Sequence, residues 1–291
     1  MAVDLVDDPR GGRLGAMRNH GYTPDMIGLE THPSTTCAVD TGWAALEAEL
    51  DIWQAAGRIA SFWWRDDDAV AATSALDRLF SLAEDIPIAI AVIPGRAETG
   101  LAERLGLAPR ATVLQHGWRH INQESPGERK SELGSHRPLS RRLHELRLGH
   151  ERLQSLFGAR ALGVLVPPWN RVGADLVPRL PEIGITGISI AGARQTPVPA
   201  AGVRAVNVHA DLVDWRGGRD FVGETTALGL VLRHLRSRFL ATVDALEPTG
   251  ILTHHLLQDA PTEQFLRRFI ATLRRHPAAR FVPIPELFQA P

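Results

Sequence analysis

The feature that most constrains this chain is a regular exchange between two hydrophobic periods. Short apolar runs suited to buried strands alternate with longer stretches whose apolar residues recur at three and four, the spacing of one helix face. The strand candidates are Ile59–Arg65 (IASFWWR), Ile86–Ile93, Ala111–Gln115, Ala161–Val166, Ile185–Ile190, Val203–Val208, Ile251–Thr253 and Arg280–Pro283. The helix candidates are Thr41–Ala56, Ala71–Glu84, Thr99–Leu105, Leu139–Phe157, Asp175–Ile183, Glu224–Leu246 and Thr262–His276. A sheet whose strands are linked by crossover helices is parallel and covered on both faces. The eight strand candidates therefore predict an α/β fold. With neither an internal repeat nor a linker, a single barrel-like domain over 41–291 fits the length of 291 residues better than two open sheets. Residues 1–40 mix Gly, Pro, Thr and Asp without a sustained period and are read as a loose N-terminal arm.

Composition narrows the function classes. Lys and Arg total 32 against 33 Asp and Glu, so the net charge of −1 offers no general footprint for nucleic acid or an anionic membrane. Cys37 is the single cysteine, which excludes an intrachain disulfide and a multi-thiolate zinc site. Lys130 is the sole lysine, so no other position offers a lysine Schiff base. The first residues, MAVDLVDDPRGGRLG, are acidic with no apolar stretch, and an export signal is not expected there. The longest apolar run, Ile86–Pro94, is about half the roughly 20 residues a spanning helix needs. A cytoplasmic protein with no membrane span is the expectation.

Functional side chains of a parallel barrel gather at the C-terminal ends of its strands. Asp66-Asp67-Asp68 follows the first strand candidate, His116-Gly117-Trp118-Arg119-His120 the third, and Pro167-Pro168-Trp169-Asn170-Arg171 the fourth. His209 and Asp211-Leu212-Val213-Asp214-Trp215 follow Val203–Val208, and His254-His255 follows Ile251–Thr253. Adjacent carboxylates repel and need a cation or a proton, although a lone DDD is more often an acidic helix cap. His116 and His120, four apart, are able to face one ion on a helical turn, and Gly117 in place of Glu excludes a zincin. An isolated pair at this spacing is more often a surface pair. Two histidines and one carboxylate with open positions nevertheless form a known catalytic ligand set. Trp63, Trp64, Trp118, Trp169 and Trp215 lie near these motifs, where flat rings suit sugar faces. Trp63 and Trp64 adjoin in one strand and must point to opposite sides.

The order of these motifs, DD, HxxxH, PPW, DxxDW and LTH, resembles the polysaccharide deacetylase superfamily, which includes the chitooligosaccharide deacetylases, over about Ala60 to Leu287. The resemblance implies a distorted (β/α) barrel of seven or eight mostly parallel strands that hydrolyses non-peptide C–N bonds with a divalent metal, commonly zinc. It makes Asp67 the catalytic base and Asp68 a metal ligand beside His116 and His120; a register one residue earlier would make the pair Asp66 and Asp67. It makes His254 the proton donor and Asp214 the acid that helps set the catalytic groups. Trp169, Pro168 and Trp215 would meet the substrate or its oxyanion. The family's third motif opens on an arginine that pairs with the fourth-motif aspartate; Val166 stands there instead, and Arg65 or Arg171 is the expected replacement. Asn170 stands where the family has Gly.

The implied activity is N-deacetylation of an acetamido sugar or glycoconjugate precursor, with a small glycan as partner. One alternative keeps the barrel and takes a cyclic amide or ureide. Another is a catalytically inactive metal- or carbohydrate-binding protein, which the missing arginine favours and the retained Asp67, Asp68 and His254 oppose.

Overall fold

The computed structural model describes residues 42–289. The arm expected at 1–40, and Cys37 within it, lie outside the described residues. Among the described residues the strands are β1 (Ala60–Ala69), β2 (Ile88–Val92), β3 (Ala111–His116), β4 (Ala161–Val166), β5 (Gly187–Ile188), β6 (Arg204–Ala205), β7 (Ala210–Asp211), β8 (Thr249–Thr253) and β9 (Ala279–Phe281). The helices are α1 (Trp43–Ala55), α2 (Ser74–Ala83), α3 (Thr99–Gly106), α4 (Leu139–Phe157), α5 (Glu224–Phe239), α6 (Ala260–Arg275) and α7 (Ile284–Leu287). The strands pair in the order β6-β5-β4-β3-β2-β1-β8-β7, and β9 pairs with the first residues of β1. Every strand pairing in the sheet is parallel. The sheet curls into an α/β distorted barrel, as expected. Its two ends, β6 and β7, follow one another in the chain, and a lone Ala191–Val208 bridge lies beside this seam.

Strand alternation explains the composition of both faces. On β2 the isoleucines Ile88 and Ile90 join the outer core under the helices, with Phe62 and Trp64 of β1. Ala89 and Ala91 face inward with Trp63. Trp63 and Trp64 thus take opposite sides, and because both are fully buried neither lines an open cleft. The interior is narrow, so a large indole needs small neighbours. Trp63 Nε1 donates to the Asn207 carbonyl at 2.9 Å, directly over Gly250. A Cβ at Gly250 would meet that indole nitrogen and stand 2.7 Å from Asn207 O and 2.8 Å from Val208 Cα.

Several boundaries differ from expectation. β1 runs four residues beyond Arg65, so the three aspartates end a strand instead of following it. His116 closes β3, and Gly117 to His120 form an irregular turn, not a helical one. The Asp175–Ile183 stretch is a 3-10 helix over Val177–Ile183, because Pro178 and Pro181 remove α-helical donors. α5 stops at Phe239, whose ring meets Trp53 edge-on at 5.7 Å. Beyond it Leu240 and Leu246 are exposed, so nothing remains to bury by continuing. Ile185–Ile190 and Val203–Val208 each keep only a two-residue strand, and Ala210–Asp211 adds the strand β7. No helix among the described residues is long and apolar enough to cross a membrane.

Because backbone atoms as well as the indole crowd Gly250, Gly250→Ala is expected to destabilise the protein by about 1–3 kcal/mol. A denaturant midpoint equal to that of the wild type would contradict this packing.

Candidate active site

Three neighbouring carboxylates at the end of β1 have three different surroundings. Strand parity puts Arg65 and Asp67 on one face and Asp66 on the other. Asp66 is fully buried on the face away from the cleft. Its Oδ1 accepts from His255 Nδ1 at 2.5 Å and its Oδ2 from the Thr253 hydroxyl at 2.6 Å. Asp67 is gripped by Arg65, whose Nη2 lies 2.9 Å from Oδ2 and whose Nε lies 2.9 Å from Oδ1. In a regular strand Asp68 would share the face of Asp66. Instead the register with β2 slips between Asp66 and Ala69, and Asp68 takes a φ of 72°. Such a bulge re-aims a side chain. It turns Asp68 into the same cleft as Asp67.

There Asp68 Oδ1 lies 3.2 Å from His116 Nε2 and 3.5 Å from His120 Nε2. The turn that carries His120 around to this point depends on local chemistry. Gly117 has a φ of 57°, and a Cβ there would strike the Glu132 carboxylate and stand 2.6 Å from Pro168 Cγ. The buried Glu132 accepts the backbone N–H groups of Trp118 at 2.9 Å and Arg119 at 2.8 Å. His120 itself has a φ of 57°, and its ring packs 4.3 Å from that of Trp169.

The donor set fits a divalent cation. His116 Nδ1–H donates to the Val166 carbonyl at 2.9 Å, which leaves Nε2 with its lone pair toward Asp68. Asp68 Oδ1 is buried and accepts no hydrogen bond among the described residues. A lone pair thus faces a carboxylate oxygen. Burial alone would raise the Asp68 carboxyl, but the charges of His116, His120 and His254 around it hold it well below the usual range. Burial likewise opposes protonation of His116, yet Asp68 and Asp67 outweigh it and shift that imidazole upward. His120 is shifted down by burial and by the charge of His116.

A second cluster, His209, His234 and Glu247, does not fit a cation. The two rings stack at 3.3 Å and 13°, so a shared ion would lie outside both ring planes, away from their lone pairs. Gly250 N–H donates to His209 Nδ1 at 2.9 Å, so in the neutral ring the proton sits on Nε2, 3.3 Å from Glu247 Oε2. Glu247 also accepts the backbone N–H groups of Arg194 and Asn207. This is a buried structural network at the seam of the barrel. Burial, with the charges of His209 and Arg238, pushes His234 down to about 2.

The remaining predicted residues divide. Arg65 is buried and also bonds Ser189 and Asn170, at 2.8 Å and 3.2 Å. Its partner is Asp67, not a fourth-motif aspartate. Arg171 lies away from this cluster, donating to the Lys130 carbonyl at 2.6 Å. Asp214 does not address His254: its Oδ1 accepts the N–H groups of Arg216 and Gly217, both at 3.0 Å, and closes its own turn. Asp211 is the acid whose surroundings include His254; burial raises its carboxyl against the opposing charge of that imidazole. Its Oδ2 accepts Trp215 Nε1 at 2.7 Å, and the Trp215 ring meets His254 edge-on at 4.8 Å. Pro168 is buried against Gly117, while Trp169 and Asn170 both take a φ of 55°. Glu132, Ser189 and the Asp66–His255 pair went unread in the sequence. Parity along β1 carried a signal for Arg65 with Asp67; a lone glutamate in a polar loop carried none.

No protein-family model matches the chain, and no curated protein matches it. Solved structures do. A family 4 carbohydrate esterase from Streptomyces lividans in complex with acetate is 14% identical, with 80% of this chain and 97% of that one covered and a TM-score of 0.52. A Streptococcus mutans CE4 esterase is 13% identical, covering 80% and 89%, also with a TM-score of 0.52. This chain has the family 4 carbohydrate esterase fold. The same fold is shared by a mutant CE4 family pseudoenzyme with restored enzymatic activity, at 13% identity, 79% and 68% coverage and a TM-score of 0.53.

Because His234 stays neutral in the folded protein far below the pH at which it protonates when unfolded, its contribution is present above about pH 6.5 and is lost progressively as pH falls toward 2. Removing that group with His234→Gln is expected to flatten the acid-side dependence of stability by up to about 1.4 kcal/mol per pH unit. Denaturant titrations of both proteins between pH 7 and pH 4 check the slope (an assay window of about three units below neutral).

Proposed function

We propose that the chain is a metal-dependent hydrolase of non-peptide C–N bonds, acting by N-deacetylation of an acetamido sugar or glycoconjugate precursor. The observation that carries this reading is the turned Asp68: its buried Oδ1 faces His116 Nε2 and His120 Nε2, while Asp67 stands beside it on Arg65. Asp68, His116 and His120 would hold a divalent cation, zinc by the donor set, leaving positions open. When bound, that ion supplies Lewis acidity for the acetyl carbonyl and lowers the pKa of nearby water.

The chain's own residues do the rest. Asp67, oriented by Arg65, takes a proton as water adds to the carbonyl carbon. His254, just past the end of the neighbouring strand β8, gives a proton to the amine nitrogen as the C–N bond breaks, so acetate and a neutral amine leave. An amide needs that second transfer because an unprotonated amine anion is a very poor leaving group. Trp215 supports the His254 ring from one side, and Asp211 supplies a carboxylate close to both. Trp169, half-buried against His120, and the exposed Trp215 offer flat walls for a sugar ring. The inactive-protein reading rests on Val166 in place of arginine; the ion pair between Arg65 and Asp67 weighs against it.

Two outcomes test this. Asp67→Asn and His254→Ala are expected to fold and keep the metal while losing turnover, by about 10²–10⁴-fold for the general acid, measured as acetate or amine release from acetamido sugars, acetyl esters and ureides. His116→Ala is expected to lose the metal itself by elemental analysis. Stoichiometric metal with no hydrolysis across the panel would favour a binding protein, and turnover confined to ureides would favour the cyclic-amide reading.

A further inference from the structure

His254 sits where strand pairing gives out. β1 and β8 stay in register up to Asp66 opposite Thr253. His254 follows with extended backbone, φ −134° and ψ 97°, and the chain turns at once into the 3-10 turn His255–Leu257. Ladder hydrogen bonds therefore hold the residue before His254 but do not set where the ring points. Both chain neighbours of His254 are instead tied to one carboxylate. Asp66 Oδ2 accepts the Thr253 hydroxyl at 2.6 Å, and Asp66 Oδ1 accepts His255 Nδ1–H at 2.5 Å. Trp64 Nε1 donates to the same hydroxyl at 2.9 Å, so the Thr253 oxygen is fixed from both sides. Asp66, Thr253 and His255 are each at most 1% exposed.

We propose that Asp66 and His255 form a buried clamp, on the face of β1 turned away from the cleft, that sets the position of the proton donor His254 relative to the base Asp67. The clamp rests on the roles given to those two residues above. Asp66 is the residue next to Asp67 in the chain, and it grips the residues on both sides of His254. The base and the acid are thus held across two strands by a single carboxylate with few freedoms. Cohesion of the strands gives no reason for polar groups here, since an apolar pair of similar volume would hold them at least as well. Asp66 and His255 are positioning residues; neither faces the cleft.

The test uses the zinc-loaded protein and two variants. His255→Leu removes the donor, and His255→Asn keeps an N–H near the place of Nδ1. His255→Leu is expected to lower kcat by about 10²-fold, the scale of a 1 Å misplacement, with KM and zinc content little changed. His255→Asn should recover most of that loss. A His255→Leu protein with unchanged kcat overturns the clamp. So do equal losses of activity, zinc and melting temperature in both variants, which would mark a purely structural role. If the wild-type protein hydrolyses nothing in the panel, the deacetylase reading fails on its own account. Crystal structures with zinc then decide the clamp separately: a His254 ring displaced from Asp67 in His255→Leu upholds it, and an unmoved ring overturns it.

Discussion

Three carboxylates in consecutive positions are the constraint around which this molecule is arranged. Two unit charges about 4 Å apart repel by roughly 4 kcal/mol at an effective dielectric near 20. Against a net stability on the order of 5–15 kcal/mol, an unrelieved triplet would be ruinous. The fold gives each carboxylate its own partner in a different direction. Asp66 turns away to His255 and Thr253, Asp67 lies on Arg65, and Asp68 swings on its left-handed backbone to His116 and His120. Alternation along β1 accomplishes the first separation, and the bulge the second. The same bulge brings Asp67 and Asp68 to one cleft.

The second support lies outside β1. β3 delivers His116, but His120 returns to the cleft only because Gly117 takes a positive φ against Pro168 and because Glu132 caps the backbone of Trp118 and Arg119. Arg65 links β1 to Ser189 after β5 and to Asn170 after β4. Position 166 is a valine, and the guanidinium beside Asp67 comes from Arg65 on the same strand.

Most of the architecture was legible in the chain. The helix Leu139–Phe157 and the strand Ala161–Val166 have the boundaries their periodicity implied, since long amphipathic and short apolar patterns are governed by burial of one face. The opposite orientation of Trp63 and Trp64 also followed from parity alone. The errors cluster at the seam. β5 and β6 pair over two residues each and β7 was not foreseen, because in that region pairing depends on which strands the curling sheet brings together. Asp214, which the resemblance makes the acid that helps set the catalytic groups, accepts the N–H groups of its own turn; spacing within a motif does not say which of two aspartates points inward.

What the sequence determined by itself was the class of fold and the inventory of chemistry: parallel strands between helices, carboxylates and imidazoles at their ends, and a pair of histidines four apart. These depend on local periodicity and on position after a strand, both of which a linear chain records. Only the tertiary structure decided which aspartate faces which cation, that Arg65 serves Asp67, and that His209 and His234 stack in a buried network while His116 and His120 converge on Asp68. The reason is physical. Direction at a strand end is set by a bulge, a positive φ and partners up to 189 residues away, as between Asp66 and His255, and no local pattern encodes them.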